Sequence, residues 1–291
     1  DLAGHVGDVS LPILSYKPAP IQVTYCGYPD TTGMKQIDYR FTDNLADLPQ
    51  AQKFYTEKLI YLPEGFLCYR PFEFAPEISV LPAKTNGFIT FGSFNHLAKI
   101  NPVIIGLWSQ ILKHMPNSHL ILKVKGGQEK EIQDYCLGLF KPYGIEPERI
   151  EIFGWLPQIE HFGLYGRIDI ALDTYPYNGT TTTCEALWMG VPVISLVGEH
   201  HISRVGLSIL TRIGLDCLAV KTPQEYFARA AALAASTENL SKIRTTMRAR
   251  IASSGLCYAK GFARHVENAY RQMWQKWCSD SHKNTKTIQS V

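Results

Sequence analysis

Residues 168–198 read IDIALDTYPYNGTTTTCEALWMGVPVISLVG, and the order of elements in this stretch decides the fold class. Ile168, Ile170, Ala171 and Leu172 make a short apolar run that fits a buried strand, and Val191 to Val197 make a second. The crossover between them is Thr181 to Gly190, where Ala186, Leu187, Trp188 and Met189 favour helix and Gly190 before Val191-Pro192 stops it. Strand, helix and strand at this spacing predict a parallel, doubly wound α/β sheet. The turn into the helix is Tyr177-Asn178-Gly179 followed by four threonines and Cys184-Glu185. Unpaired backbone N–H groups at a helix start attract anions, and open α/β sheets bind ligands at the carboxyl ends of their strands. A hydroxyl-capped helix needs no ligand. Four hydroxyls behind Asn-Gly nevertheless favour a phosphate held by Asn178, Gly179, Thr180, Thr181 and Thr182. Glu185, one helical turn on, is placed to accept hydrogen bonds from ribose hydroxyls, or else is a solvated first-turn glutamate.

NGTTTTCEALWMGVP (178–192) closely resembles the nucleotide-sugar segment of the O-GlcNAc transferase and SPINDLY group, glycosyltransferase family 41. The resemblance continues, in order, through GYPDTTG (27–33), FGSFNHLAKINP (91–102), GWLPQIEH (154–161), SRVGLSIL (203–210) and AYRQMWQKWC (269–278). It implies a GT-B fold of two Rossmann-like lobes with the donor nucleotide on the C-terminal lobe.

The 291 residues suffice for one large or two modest domains, and 45% hydrophobic with 19% charged residues is a globular composition. A net charge of +3 without a basic run gives no reason to expect a nucleic-acid partner. No apolar run reaches the length of a membrane span, so no membrane association is expected. Seven scattered cysteines without a C-x-x-C pair suit a reducing, cytoplasmic setting and argue against a disulfide framework and a zinc site.

The opening Asp1-Leu2-Ala3-Gly4-His5 reads like a strand end entering a loop. In the family it resembles, this loop lies inside the first lobe, behind further βα units and helical repeats, so a piece of a longer chain is expected. Residues 1–85 are then the tail of the N-terminal lobe, 86–280 the nucleotide-sugar lobe with its closing helices, and 281–291 a polar tail. In the first part, 20–25, 37–42 and 59–62 read as extended segments and 51–58 as a short helix. The prolines between Tyr69 and Gly87 read as a linker. Strands are expected at 88–91, 119–124 and 149–153, with helices at 102–115, 130–140, 158–165, 202–213, 223–235, 239–252 and 260–277. Residues 279–291 are expected to fray.

Moving a sugar from a nucleotide diphosphate requires stabilising the charge that builds on the leaving phosphate, by a metal or a fixed cation. Asp173-Thr174-Tyr175 lacks the second carboxylate of an Asp-x-Asp metal motif, which favours lysine plus helix dipole and no metal. Lys99, after a strand and the Gly92/Ser93/Asn95 turn, corresponds to the lysine that contacts the diphosphate in the family. Read without the surrounding blocks, it is a solvated lysine before a helix. Asn95 joins the donor contacts, and His96, at a position held by glutamine or asparagine in relatives, is a contact to the donor phosphate or to the acceptor. The resemblance makes His161 the residue that stacks on the base, with Leu156 and Gln158 beside it; read alone, it is a plain helix-face histidine. His5, in its loop, is a candidate catalytic residue or a plain loop histidine. Gln158 and Thr180 replace the lysine and histidine of O-GlcNAc transferase and lean toward SPINDLY proteins, some of which use GDP-fucose.

The expectation is an inverting, metal-independent O-glycosyltransferase that moves GlcNAc from UDP-GlcNAc to Ser or Thr of acceptor proteins or peptides, with no bound cofactor. GDP-fucose as donor and an incomplete nucleotide-sugar-binding fragment are the alternatives. A dehydrogenase is excluded by the lack of G-x-G-x-x-G after a strand, and a serine hydrolase by the lack of G-x-S-x-G.

Overall fold

The structure is a computed structural model and describes residues 1–6 and 10–288, with side chains through residue 281. The chain divides into two compact units, Asp1–Cys68 with Tyr258–Val291, and Tyr69–Cys257.

The first unit begins with a 3-10 turn at Gly4–Val6 and helix α1 (Ser10–Leu14), followed by strands β1 (Val23–Thr24), β2 (Tyr39–Thr42) and β3 (Lys58–Tyr61). These form a three-stranded parallel sheet in the order β1-β2-β3. The helix expected at 51–58 is instead a 3-10 turn at Pro49–Phe54. Pro49 presets only its start, and Tyr55 is already extended ahead of β3.

The second unit opens with α2 (Pro82–Asn86) inside the segment expected to be a linker. Pro82 stands in its first turn and Gly87, at φ 78°, closes it in the left-handed conformation that glycine adopts freely. Six strands and their helices follow: β4 (Thr90–Ser93), α3 (Pro102–His114), β5 (His119–Lys123), α4 (Lys130–Phe140), β6 (Ile150–Phe153), α5 (Gln158–Leu164), β7 (Ile170–Leu172), α6 (Thr181–Trp188), β8 (Val193–Leu196), α7 (Val205–Arg212), β9 (Ala219–Val220), α8 (Pro223–Ala234) and α9 (Thr237–Ala252). All strand pairs are parallel, in the order β6-β5-β4-β7-β8-β9. The winding reverses between β4 and β7, and such a reversal leaves a crevice at the carboxyl ends of the two strands.

The core of this unit follows the expected helix face. Ile104, Ile105, Trp108, Ile111 and Leu112 of α3 are all buried, each contributing about 1.5–3 kcal/mol relative to exposure. Asp169, ahead of β7, accepts the N–H groups of Ala83 and Thr90 at 2.9 and 2.8 Å, tying α2 and β4 to β7.

The last helix, α10 (Ala259–Ile288), belongs to the first unit, which corrects its assignment to the nucleotide-sugar lobe. Phe262, Val266, Ala269 and Met273, on one helical face, pack with Phe41, Leu62, Val23, Tyr25 and Tyr39 around the small sheet. The unit boundary lies at 68/69 and not at 85/86. Residues 279–288, expected to fray, continue α10, and 289–291 lie outside the described residues. Among the described residues no helix is long and apolar enough to cross a membrane. All seven cysteines are free.

Candidate functional site

Two loops meet over the crevice between β4 and β7, one leading from β4 to α3 and the other from β7 to α6. Three side chains stitch them together. Asn101 caps α3 through Oδ1 and donates its amide to Tyr175 O at 2.6 Å. Lys99 Nζ donates to Asn178 O at 2.9 Å and lies 3.9 Å from the centre of the Tyr177 ring. Thr182 Oγ1 donates to Asn95 Oδ1 at 3.1 Å.

The threonine run does not cap α6. Thr180 occupies the N-cap position but makes no side-chain cap bond. The Thr183 hydroxyl turns back to Gly179 O at 3.0 Å. Thr180 thus leaves the first-turn N–H groups of α6 without its side-chain cap at the helix's positive end, while Lys99 holds the Asn178 carbonyl two residues before.

The β7–α6 loop rests on a residue weighed in the sequence only as the single carboxylate of an incomplete metal motif. Asp173, at the end of β7, is 2% exposed. Its Oδ1 accepts the N–H groups of Gly179 at 2.7 Å and Thr174 at 2.9 Å, and its Oδ2 accepts Ser195 Oγ at 2.7 Å. Burial pushes its carboxyl up to about 6, against the opposing pull of these bonds and of Lys99. Lys99 in turn is lowered by burial, with Asp173 opposing.

A second cluster lies farther along α6. His161 Nε2 and Glu185 Oε2 pair at 3.0 Å, and Tyr165 donates its hydroxyl to the same oxygen at 3.2 Å. His161 Nδ1 is buried and has no hydrogen-bond partner. The imidazole lies among the rings of Phe94, Phe162 and Tyr165. Lys123, at the end of β5, is lowered by burial, with Glu185 opposing.

Of the residues expected at the site, Asn95, Lys99, Asn178, Gly179, Thr180, Thr181, Thr182, Glu185 and His161 gather around the crevice end of the second unit. His96 is exposed and accepts Ala98 N–H through Nδ1, capping its own 3-10 turn. Leu156 is half-buried and Gln158 exposed, on the loop after β6 and the first turn of α5. His5 belongs to the first unit, where its Nε2 lies 2.9 Å from Thr32 O and its ring meets Tyr28 edge-on. The GYPDTTG loop it touches is held by buried Glu57, which accepts Thr31 Oγ1 and Thr32 N–H, each at 2.7 Å. Sequence reasoning missed Asp173, Ser195, Tyr165 and Lys123. The signal for Asp173 was available as a carboxylate at a strand end six residues before an Asn-Gly turn's glycine. Among the described residues no group of three or more His, Cys, Asp or Glu side chains is arranged to hold a metal.

The family profile described as Glycosyl transferase family 41 matches residues 3–73 and 79–266. Over 282 residues the chain is 45% identical to a protein of Oryza sativa subsp. japonica named probable UDP-N-acetylglucosamine--peptide N-acetylglucosaminyltransferase SPINDLY, covering 96% of the chain and 30% of that protein. It is 32% identical to the Arabidopsis thaliana protein of the same description named SEC, covering 96% of the chain and 29% of that protein. The chain thus spans less than a third of these relatives' length. Among solved structures, a Thermobaculum terrenum O-GlcNAc transferase mutant superposes with a TM-score of 0.90 at 33% identity, covering 97% of the chain and 53% of that one.

Proposed function

Because the chain belongs to glycosyl transferase family 41, we propose that its second unit holds a nucleotide-diphosphate sugar at the β4/β7 crevice, and that the protein moves the sugar to Ser or Thr hydroxyls of acceptor proteins or peptides. One observation carries this reading: the uncapped start of α6 and the half-buried Lys99 ammonium sit side by side where the strand order reverses. Open N–H groups and a fixed cation favour a diphosphate, and both interactions strengthen as negative charge gathers on the leaving phosphate. Lys99 stabilises that charge, Thr180, Thr181 and Thr182 hold the phosphates, and Glu185 accepts from the ribose through Oε1. No resident cofactor or metal takes part, and the reaction inverts the anomeric centre.

Leu156, Gln158 and His161 border the base. UDP-GlcNAc is the proposed donor, in keeping with the names of the plant relatives. GDP-fucose is the second reading, favoured by Gln158 and Thr180. Residues 154–159 (GWLPQI) carry no carboxylate to accept the amino group of guanine. Titration calorimetry of UDP against GDP decides the base. UDP is expected to bind more tightly, whereas a GDP affinity more than about tenfold tighter, roughly 1.4 kcal/mol, makes fucose transfer the leading reading.

A further inference from the structure

The peptide unit joining Asn178 to Gly179 is held from both ends. Its carbonyl oxygen accepts Lys99 Nζ at 2.9 Å, and its N–H donates to Asp173 Oδ1 at 2.7 Å. A cation and a buried carboxylate thus share one amide plane at the mouth of the anion site, and each polarises it in the same sense. Asp173 is surrounded on every side. Lys99 faces it from the β4–α3 loop, and Ser195 reaches it from β8. Gly206 of α7 approaches so closely that a Cβ there would run into Ser195 Oγ and stand 3.2 Å from Asp173 Oδ2. Tyr226 of α8 donates its hydroxyl to the Asp173 backbone oxygen at 3.0 Å. Lys99 and Tyr226 are titratable groups of this shell, and burial holds the Tyr226 phenol neutral, well above its ordinary range.

We propose that Asp173 takes up a proton when the diphosphate of a nucleotide sugar settles against Lys99, so that donor affinity rises as pH falls. The inference rests on the function proposed above. In the unliganded protein Lys99 is the cation whose field favours the ionised form of Asp173. A diphosphate engages that cation and brings negative charge of its own to the other end of the shared amide, and both changes disfavour a carboxylate. Protonation leaves the three hydrogen-bond partners of the carboxyl in place. With the proton on Oδ2, Ser195 Oγ accepts in place of donating, and both amides remain on Oδ1.

The sign follows from linkage. The free protein carries Asp173 ionised above about pH 6, where burial has pushed its pKa. The bound protein keeps the proton to higher pH, so the complex holds more protons than its parts in the window above pH 6. Affinity is flat below that window and falls as pH rises through it, by up to about tenfold per pH unit where one full proton is taken up.

The experiment is titration calorimetry of UDP-GlcNAc and of GDP-fucose at neutral pH, in buffers of different ionisation enthalpy. Their diester diphosphates do not titrate there, so buffer-dependent heat reports protons taken up by the protein. Wild type is expected to show proton uptake for whichever donor binds. Asp173→Asn, isosteric and able to donate to Ser195 while accepting both amides, is expected to bind without uptake and with affinity independent of pH. Ser195→Ala removes one donor to the carboxylate and should move the window to higher pH. It and the wild-type heats carry the test where the asparagine variant does not fold. Binding without uptake in wild type, or uptake that persists in Asp173→Asn, overturns the inference and leaves the proposed function standing. Failure of both nucleotide sugars to bind wild type overturns both.

Discussion

Gly179 has no room for a side chain. A Cβ built there would lie 2.5 Å from Thr182 Oγ1, 2.8 Å from Thr183 Oγ1 and 3.0 Å from Asn95 Oδ1. The Asn-Gly pair was readable as a turn, but glycine is required there because the Thr182 and Thr183 hydroxyls fold back over it, with Asn95, 84 positions away in the chain, closing the third side. Gly179→Ala must push Thr182 off Asn95, at an overpacking cost of about 1–3 kcal/mol. Lower thermal stability together with weaker UDP binding is the expected outcome, read by scanning calorimetry and titration; an unchanged melting temperature and affinity would show that the close approach is not needed. Asp173 was legible as a residue and not as a role, because its meaning depends on Ser195 from β8 and on burial. Glu185 and His161 were each read toward the ligand, and neither was read toward the other. Their pairing depends on how α5 lies against α6, which the periodicity of neither helix specifies.

At the scale of elements, the parallel βαβ organisation was legible because strands buried on both faces are continuous apolar runs and the helices between them keep one apolar stripe. What the pattern concealed was which element fastens which. Arg244 of α9 is 1% exposed and donates to Ser79 O, Ile168 O, Tyr165 O and Ser79 Oγ at 2.8–3.2 Å. Burial lowers its guanidinium to about 10, with Asp169 opposing. In the sequence it is one arginine in a polar helix. In the structure it holds the turn that delivers Tyr165 to Glu185. Arg244→Met leaves these carbonyls and buried Asp169 without their cation, and destabilisation by about 3–5 kcal/mol in urea unfolding is expected. A loss below about 1 kcal/mol would mean that the carbonyls find other partners. The same gap between pattern and packing explains α2, where Pro82 and Gly87 mark the start and end of a helix and not a linker.

On the scale of the molecule, which elements share a compact unit was not legible in the sequence. The apolar stripe on α10 announces that the helix packs on something, but only the surroundings of Phe41 and Leu62 show that it completes the first unit. The place of the proposed anion site follows from order alone, since strand, Asn-Gly turn and helix start fall where the sheet winding reverses. Lys99 concentrates the functional proposal in one atom, so the direct measurement is the initial rate of labelled-sugar transfer to acceptor protein by the full-length protein, wild type against Lys99→Ala. Circular dichroism establishes that both are folded. Loss of one preorganised charge contact in the transition state predicts a fall of about a hundredfold or more in kcat/KM. A rate within about tenfold of wild type, roughly 1.4 kcal/mol, would contradict the role assigned to Lys99.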